Sequence, residues 1–357
     1  MSKVRLRQKE VNMKKFLSLL LVLALSISMV ACGGDSTTDS SATPTPNNGG
    51  TTPTTLKVYM PDGAPVLGLA VEMMNPTASD KYKLDMTVVD ASTIATYVTG
   101  ENPAADVCIM PINAAAKLLG DGSKYKLLGS VTNGNIYIIT KNGVQITKDN
   151  VSELVGKTVG VVNLANVPGL TTQIVFKMLG LKVNVMGNDS TVMTDAVNLV
   201  AVNATDVTPA GTCDYYIVPE PAATTKVTKA GFTMVGSLQD LYSNEGMYPQ
   251  AVLVVKADLL ANNPDLADYL ASVITNNANN VANADVASLV NAIETNLTEG
   301  MTPSLSAGTL NADAIKGCNI KFVPVKDNHK YFTDFIDKLI DINANSTKAV
   351  EEGFFFD

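Results

Sequence analysis

The chain holds a single histidine, His329, and four widely spaced cysteines: Cys32, Cys108, Cys213 and Cys318. So thin a supply of soft ligands leaves no tract with metal-site spacing, and it removes the usual general base for a serine or cysteine nucleophile. Neither a GxGxxG nor a full GxxxxGK[ST] phosphate loop occurs, so no cofactor is expected. Positive charge is scarce too. The formal net charge is -8, and Lys3, Arg5, Arg7, Lys9, Lys14 and Lys15 all lie ahead of Phe16, opposed there only by Glu10. The chain beyond Phe16 is therefore more acidic than the total suggests, and no basic stripe is left to track a nucleic acid. Past the N-terminal run, no hydrophobic stretch is long enough to span a bilayer. Cys108, Cys213 and Cys318 each sit in or beside an apolar run, as buried free thiols do.

Among the features that are present, the first is "MKKFLSLLLVLALSISMVAC". Lys14 and Lys15 form a positive region, Phe16 to Leu25 an apolar one, and small residues lead to Cys32. The apolar part is short for a span, which marks an export signal. "MVAC" resembles the lipobox of bacterial lipoproteins, with Ala31 before the cut, Cys32 as the lipidated residue and Met29 where leucine is usual. Residues 1–32 are thus read as a lipoprotein signal peptide, with Met13 as an alternative start. Residues 33–55 are Gly, Ser, Thr, Pro and Asn with two Asp and a single Ala, a composition with almost nothing to bury and suited to a flexible tether. Lipid on Cys32 would hold the protein at the outer face of the cell membrane.

About 300 residues remain, enough for two domains. Short apolar runs alternate with helical patterns, which predicts an α/β fold. "LKVYMP", "YKLDMTVVD", "ADVCIMP", "YKLLGSVT" and "NIYIIT" read as strands, with helices over Gly63–Met74, Ser92–Gly100 and Ile112–Gly120. The pattern restarts with the strand "TVGVVN" and a helix from Pro168 to Gly180, and continues with strands at "KVNVMG", "DYYIVPE", "FTMVGSL" and "YPQAVLVVKA". The rest is mostly helical. In its last helix Phe332, Phe335, Ile336, Leu339 and Ile340 form one apolar face.

"PDGAPVLGLA", "ADVCIMPINAAAKL", "GKTVGVVNLANVPGLTTQIVFKMLGL", "CDYYIVPEPAAT" and "NIKFVPVKDNHKYFTDFIDKL" succeed one another in an order that resembles the substrate-binding lipoproteins of ABC importers, in the nitrate/sulfonate/taurine class that overlaps the thiamine-pyrimidine-precursor-binding domains. The resemblance spans the chain beyond the tether. It implies a two-lobed periplasmic-binding fold of type II with two hinge crossings. Lobe 1 would be 56–138 plus 249–357, and lobe 2 would be 139–248, with "NIYIITKN" and "MYPQAVLVV" as hinge strands. It implies a monomer that captures a small molecule and delivers it to an ABC permease. Relatives on the same fold include chorismate-dehydratase-like and pyrimidine-synthase-like enzymes, and a ligand-presenting sensor partner is a third possibility. The leader argues against both enzymes, and the missing catalytic histidine argues against the pyrimidine-synthase-like type too.

In open α/β sheets ligands sit beyond the carboxyl ends of strands. Five loops qualify, and they nominate Asp62, Gly63, Ala64 and Pro65; Pro111, Ile112 and Asn113; Asn133 and Asn135; Asn163, Asn166, Gly169 and Thr171; and Glu220 and Pro221. Glu220 and Asn113 also fall on family motif positions. Tyr137 and Tyr248 could add aromatic walls. These loops contain no Lys, Arg or His, and their only charges are Asp62 and Glu220. A neutral or cationic ligand is therefore expected, whereas the class label suggests an anion.

Overall fold

The structure is a computed structural model that describes residues 52–187 and 190–357. The leader, Cys32 and most of the tether lie outside the described residues. No helix among the described residues is long and apolar enough to cross a membrane.

The described residues form two six-stranded sheets. The first contains β1 (Thr54–Pro61), β2 (Tyr82–Val89), β3 (Val107–Pro111), β4 (Tyr125–Thr132), β11 (Ala251–Lys256) and β12 (Ile320–Pro324), in the order β12-β4-β11-β3-β1-β2. The second contains β5 (Ile136–Thr140), β6 (Thr158–Val162), β7 (Val183–Val185), β8 (Val197–Val202), β9 (Tyr215–Pro219) and β10 (Thr233–Ser237), in the order β10-β5-β9-β6-β8-β7. Each sheet has a parallel part interrupted by one internal antiparallel strand, β11 in the first and β5 in the second, and the edge strand β12 of the first sheet also runs against its neighbour β4. Those two strands are the ones that arrive from the other lobe, so the chain crosses twice. The first crossing is Asn133-Gly134-Asn135, because β4 ends at Thr132 and β5 pairs only in the second sheet. β1 begins at Thr54, two residues inside the segment read as tether.

The strands have covered faces where the sequence runs apolar without alternation. Val107 to Met110 of β3 are all buried, as parallel strands flanked by helices require. Three elements depart from expectation, and one is the helix expected over Ser92–Gly100, which is a 3₁₀ turn, Ile94–Tyr97. The helix expected over Gly63–Met74 is a 3₁₀ turn, Ala64–Gly68, followed by a short α-helix, Ala70–Met74, broken at Leu69. A Cβ on Gly68 would lie 2.2 Å from Cγ1 of Val131 on β4, so the turn lies hard against the sheet. β8 has no counterpart among the expected strands. Its buried Asn198 interrupts the apolar pattern, yet the amide is satisfied: Nδ2 donates to the carbonyls of Met193 and Lys157, and Oδ1 accepts from Met193 N.

One hydrophobic core runs through both lobes. It includes Met110 and Leu127 of the first sheet, Ile138 and Ile217 of the second, and Phe332, Phe335 and Leu339 of the helix His329–Ile342. That helix packs on the second-lobe helix Val167–Met178. Phe335 stacks on Tyr248 at 5.2 Å and meets the edge of Tyr242 at 5.8 Å, placing an aromatic cluster beside the crossings.

Candidate ligand-binding cleft

The strand ends that face the cleft bring four loops together. β1 leads to Pro65, β2 to Asp90, β3 to Pro111 and β6 to Asn163. Between them lies a cavity of about 680 Å³, within the usual range for a small-molecule site. The first lobe contributes Pro65, Asp90, Ala91, Ser92, Ile94, Ala95, Pro111, Asn113 and Ala114. The second contributes Asn163, Asn166, Val167 and Pro168, and the second crossing adds Gln250 with Ala251 at the start of β11. The lining is mainly proline, alanine and branched aliphatic, punctuated by amides.

The helix Val167–Met178 starts at this wall. Asn166 precedes it in extended backbone, and its side chain does not cap the first N–H groups. Pro168 fits the first turn, where its missing donor is not needed. The chain reaches this start tightly, since a Cβ on Gly169 would lie 1.9 Å from the carbonyl oxygen of Leu164. The free N–H groups of the first turn leave a donor-rich edge. On the opposite wall, Asp90 Oδ1 accepts the N–H of Ser92 at 2.8 Å and its hydroxyl at 2.5 Å. Those two bonds hold the Asp90 carboxyl below the usual aspartate range.

Of the residues nominated from the sequence, Pro65, Pro111, Asn113, Asn163 and Asn166 line the cavity, and the rest lie elsewhere. Asp62 spends its carboxylate on the backbone, accepting from Gly63 N at 2.8 Å and Ser304 N at 2.5 Å. Gly63 and Ala64 form the turn beneath Pro65, and Ile112 is buried in the core. Asn133 is buried in the first crossing. Its Oδ1 accepts from Ser130 and Tyr331, and its Nδ2 donates to the Lys321 carbonyl. Asn135 pairs with Gln250, accepting from Nε2 at 2.6 Å and donating its N–H to Oε1 at 3.2 Å. Gly169 and Thr171 are buried inside their helix, and Thr171 Oγ1 has no hydrogen-bond partner among the described residues. Tyr248 is fully buried, and Tyr137 donates its hydroxyl to the Gly317 carbonyl at 3.0 Å.

Glu220 and Pro221 are displaced for a clear reason. The edge beyond β9 is filled by a later part of the same chain. The segment around Gly308, Thr309 and the helix Ala312–Gly317 lies over it. Thr225 Oγ1 donates to Thr309 O at 3.2 Å, and Lys229 Nζ donates to Gly308 O. Glu220, 4% exposed, sits beneath Gly317. It accepts from Thr224 N at 3.0 Å and Thr224 Oγ1 at 2.5 Å, steadying the start of the helix Ala222–Ala230. Burial pushes its carboxyl upward, and the Thr224 bonds oppose that shift.

The β2 loop and Gln250 were not nominated. The rule of strand carboxyl ends applies to β2 as it does to β1 and β3. "VVDAST", however, lacks the glycine or proline that marks the other loops.

No protein-family model matches the chain, and no curated protein sequence matches it. Solved structures do. An ABC transporter structure from Parabacteroides distasonis aligns with a TM-score of 0.65 and 17% identity, over 85% of this chain and 99% of that one. The periplasmic aliphatic sulphonate binding protein SsuA from Escherichia coli aligns at 0.57 and 12%, over 85% and 92%. The ligand-binding component of an ABC-type import system from Staphylococcus aureus, with zinc bound, aligns at 0.52 and 13%, over 85% and 96%. The fold is that of the type II periplasmic-binding proteins. At these identities the likeness concerns architecture, and the chemistry of the cleft has to be read from its own residues.

Proposed function

We propose that this chain is an extracytoplasmic solute-binding lipoprotein that captures a small molecule between its lobes and delivers it to an ABC permease. The observation that carries this reading is the cavity itself. It is large enough for an organic solute, it lies at the carboxyl ends of strands from both sheets, and Gln250 of the second crossing forms part of its wall. Two structural neighbours are named as an ABC transporter and a component of an ABC-type import system, and a third as a periplasmic binding protein, which supports the same role. No histidine, cysteine or lysine lines the cavity, which favours binding over catalysis.

In this reading the solute makes contacts with both lobes, and those contacts favour the closed state by differential affinity. The protein works as a monomer, tethered at the outer face of the membrane by lipid on Cys32. The test combines thermal denaturation with small-angle scattering. A solute at about 100 times its dissociation constant stabilises the folded state by roughly 2.7 kcal/mol, and the radius of gyration falls as the lobes close. A tight-binding solute that leaves the radius of gyration unchanged would overturn the closure mechanism.

A further inference from the structure

We propose that the cleft selects a solute carrying one positive charge on a compact apolar body, and that Asp90 is the residue that pairs with that charge. This rests on the reading of the cavity as the solute site. Asp90 is the one charged side chain among the described residues that line it. Its orientation is set in advance: Ser92 holds Oδ1 through two hydrogen bonds, while Oδ2 has no protein partner among the described residues. The remaining polar lining, Ser92, Asn113, Asn163, Asn166 and Gln250, is uncharged.

The energetics of closure turn this arrangement into selectivity. While the lobes are apart, water solvates Asp90. Bringing them together over a solute removes that water, and an ionised carboxylate left without a partner is costly. A cation removes the penalty and adds a charge-assisted hydrogen bond. An anion worsens it, because no Lys, Arg or His lines the cavity to offset two like charges. The start of the helix Val167–Met178 on the facing wall offers only the partial positive charge of a helix end. That suits a neutral acceptor at the far end of the solute, and it does not replace a cation. A bare metal ion is a poor fit, since one carboxylate in a mostly apolar cavity of about 680 Å³ is far from a coordination shell. The sequence-based expectation of a neutral or cationic ligand is thereby narrowed, and its basis moves from Asp62 and Glu220 to Asp90.

The test uses three probes of nearly equal shape: n-hexylammonium, n-hexanol and n-hexanesulfonate. Each is titrated into the purified protein to its solubility limit and followed by calorimetry and scattering, with wild type compared to Asp90→Asn and Asp62→Asn. We expect the ammonium to bind about 10-fold more tightly than the alcohol, in line with a hydrogen bond to a charged group, and the sulfonate to bind more weakly than both. Asp90→Asn should bring ammonium and alcohol to within about 2-fold, and Asp62→Asn should leave the preference intact. If the alcohol or sulfonate binds as well as the ammonium and compacts the protein, the charge assignment falls and the solute-binding reading stands. The same holds if the ammonium preference survives Asp90→Asn. If no probe binds at any accessible concentration, both fall.

Discussion

Replacing Gly134 by alanine tests how rigidly the first crossing is packed. Gly134 lies between β4 and β5 with φ +89°. An L side chain in left-handed backbone costs about 1–2 kcal/mol. The added methyl group also lacks room. It would lie 2.8 Å from Cε1 and 3.0 Å from Cζ of Tyr248, and 3.0 Å from Cβ of Gln239. Neither neighbour moves easily. Tyr248 is fully buried and stacked on Phe335, and Gln239 is fixed by accepting the Ile136 N–H at 3.1 Å. Overpacking of this kind costs about 1–3 kcal/mol, for a total of about 2–5 kcal/mol. Gly100 supplies the control, with φ +92° and nothing within 4 Å of an added Cβ. Gly100→Ala should lose only the conformational part, about 1–2 kcal/mol. Urea denaturation followed by far-ultraviolet circular dichroism separates the two. With a slope of roughly 3 kcal/mol per molar, the midpoint should fall by about 0.7–1.7 M for Gly134→Ala and about 0.3–0.7 M for Gly100→Ala. Equal losses would show that Tyr248 and Gln239 yield freely, and the account of a tightly packed crossing would be refuted.

Glu220 should act on stability and leave solute affinity alone. Its folded-state carboxyl is raised by burial, so the folded protein holds that proton more firmly than the unfolded chain. Stability from this group therefore declines as pH rises from the ordinary glutamate value through the raised one. Urea midpoints across that window should show Glu220→Gln gaining on wild type as pH increases, and parallel profiles would contradict the sign. Cys108 and Cys318 are buried and Cys213 is half-buried, so among these three a maleimide should label Cys213 first in the native protein, and early labelling of either of the other two would refute the packing. Cys32→Ala should shift the protein from the membrane fraction to the soluble one, and a variant that stays membrane-bound after a salt wash would rule out the lipid anchor.

Local patterns were readable wherever periodicity and burial coincide. Phe332, Phe335, Ile336 and Leu339 form the buried face of the helix His329–Ile342, and the unbroken apolar run of β3 lies covered on both sides. The cleft was legible as a rule about strand ends, which placed Pro65, Pro111, Asn113, Asn163 and Asn166 on its wall. The rule could not say which ends stay open. Glu220 lies outside the cavity because residues 308–317, far along the chain, cover the end of β9. A packing relation of that range leaves no mark in the sequence around Glu220. β8 was hidden for a related reason. Asn198 is tolerated in a central strand only because its neighbours' carbonyls and N–H groups satisfy it, and that network exists only once the sheet has formed.

The covering of the β9 end has a mechanical consequence. Tyr137 to Gly317, Thr225 to Thr309 and Lys229 to Gly308 stitch the two lobes along one flank. A motion that drew the sheets straight apart would tear all three stitches. A swing about them would leave them intact. Under the proposed closure, these bonds would hold the flank along residues 308–317 while the cavity edges at Asp90 to Ala95 and Asn163 to Pro168 change their separation.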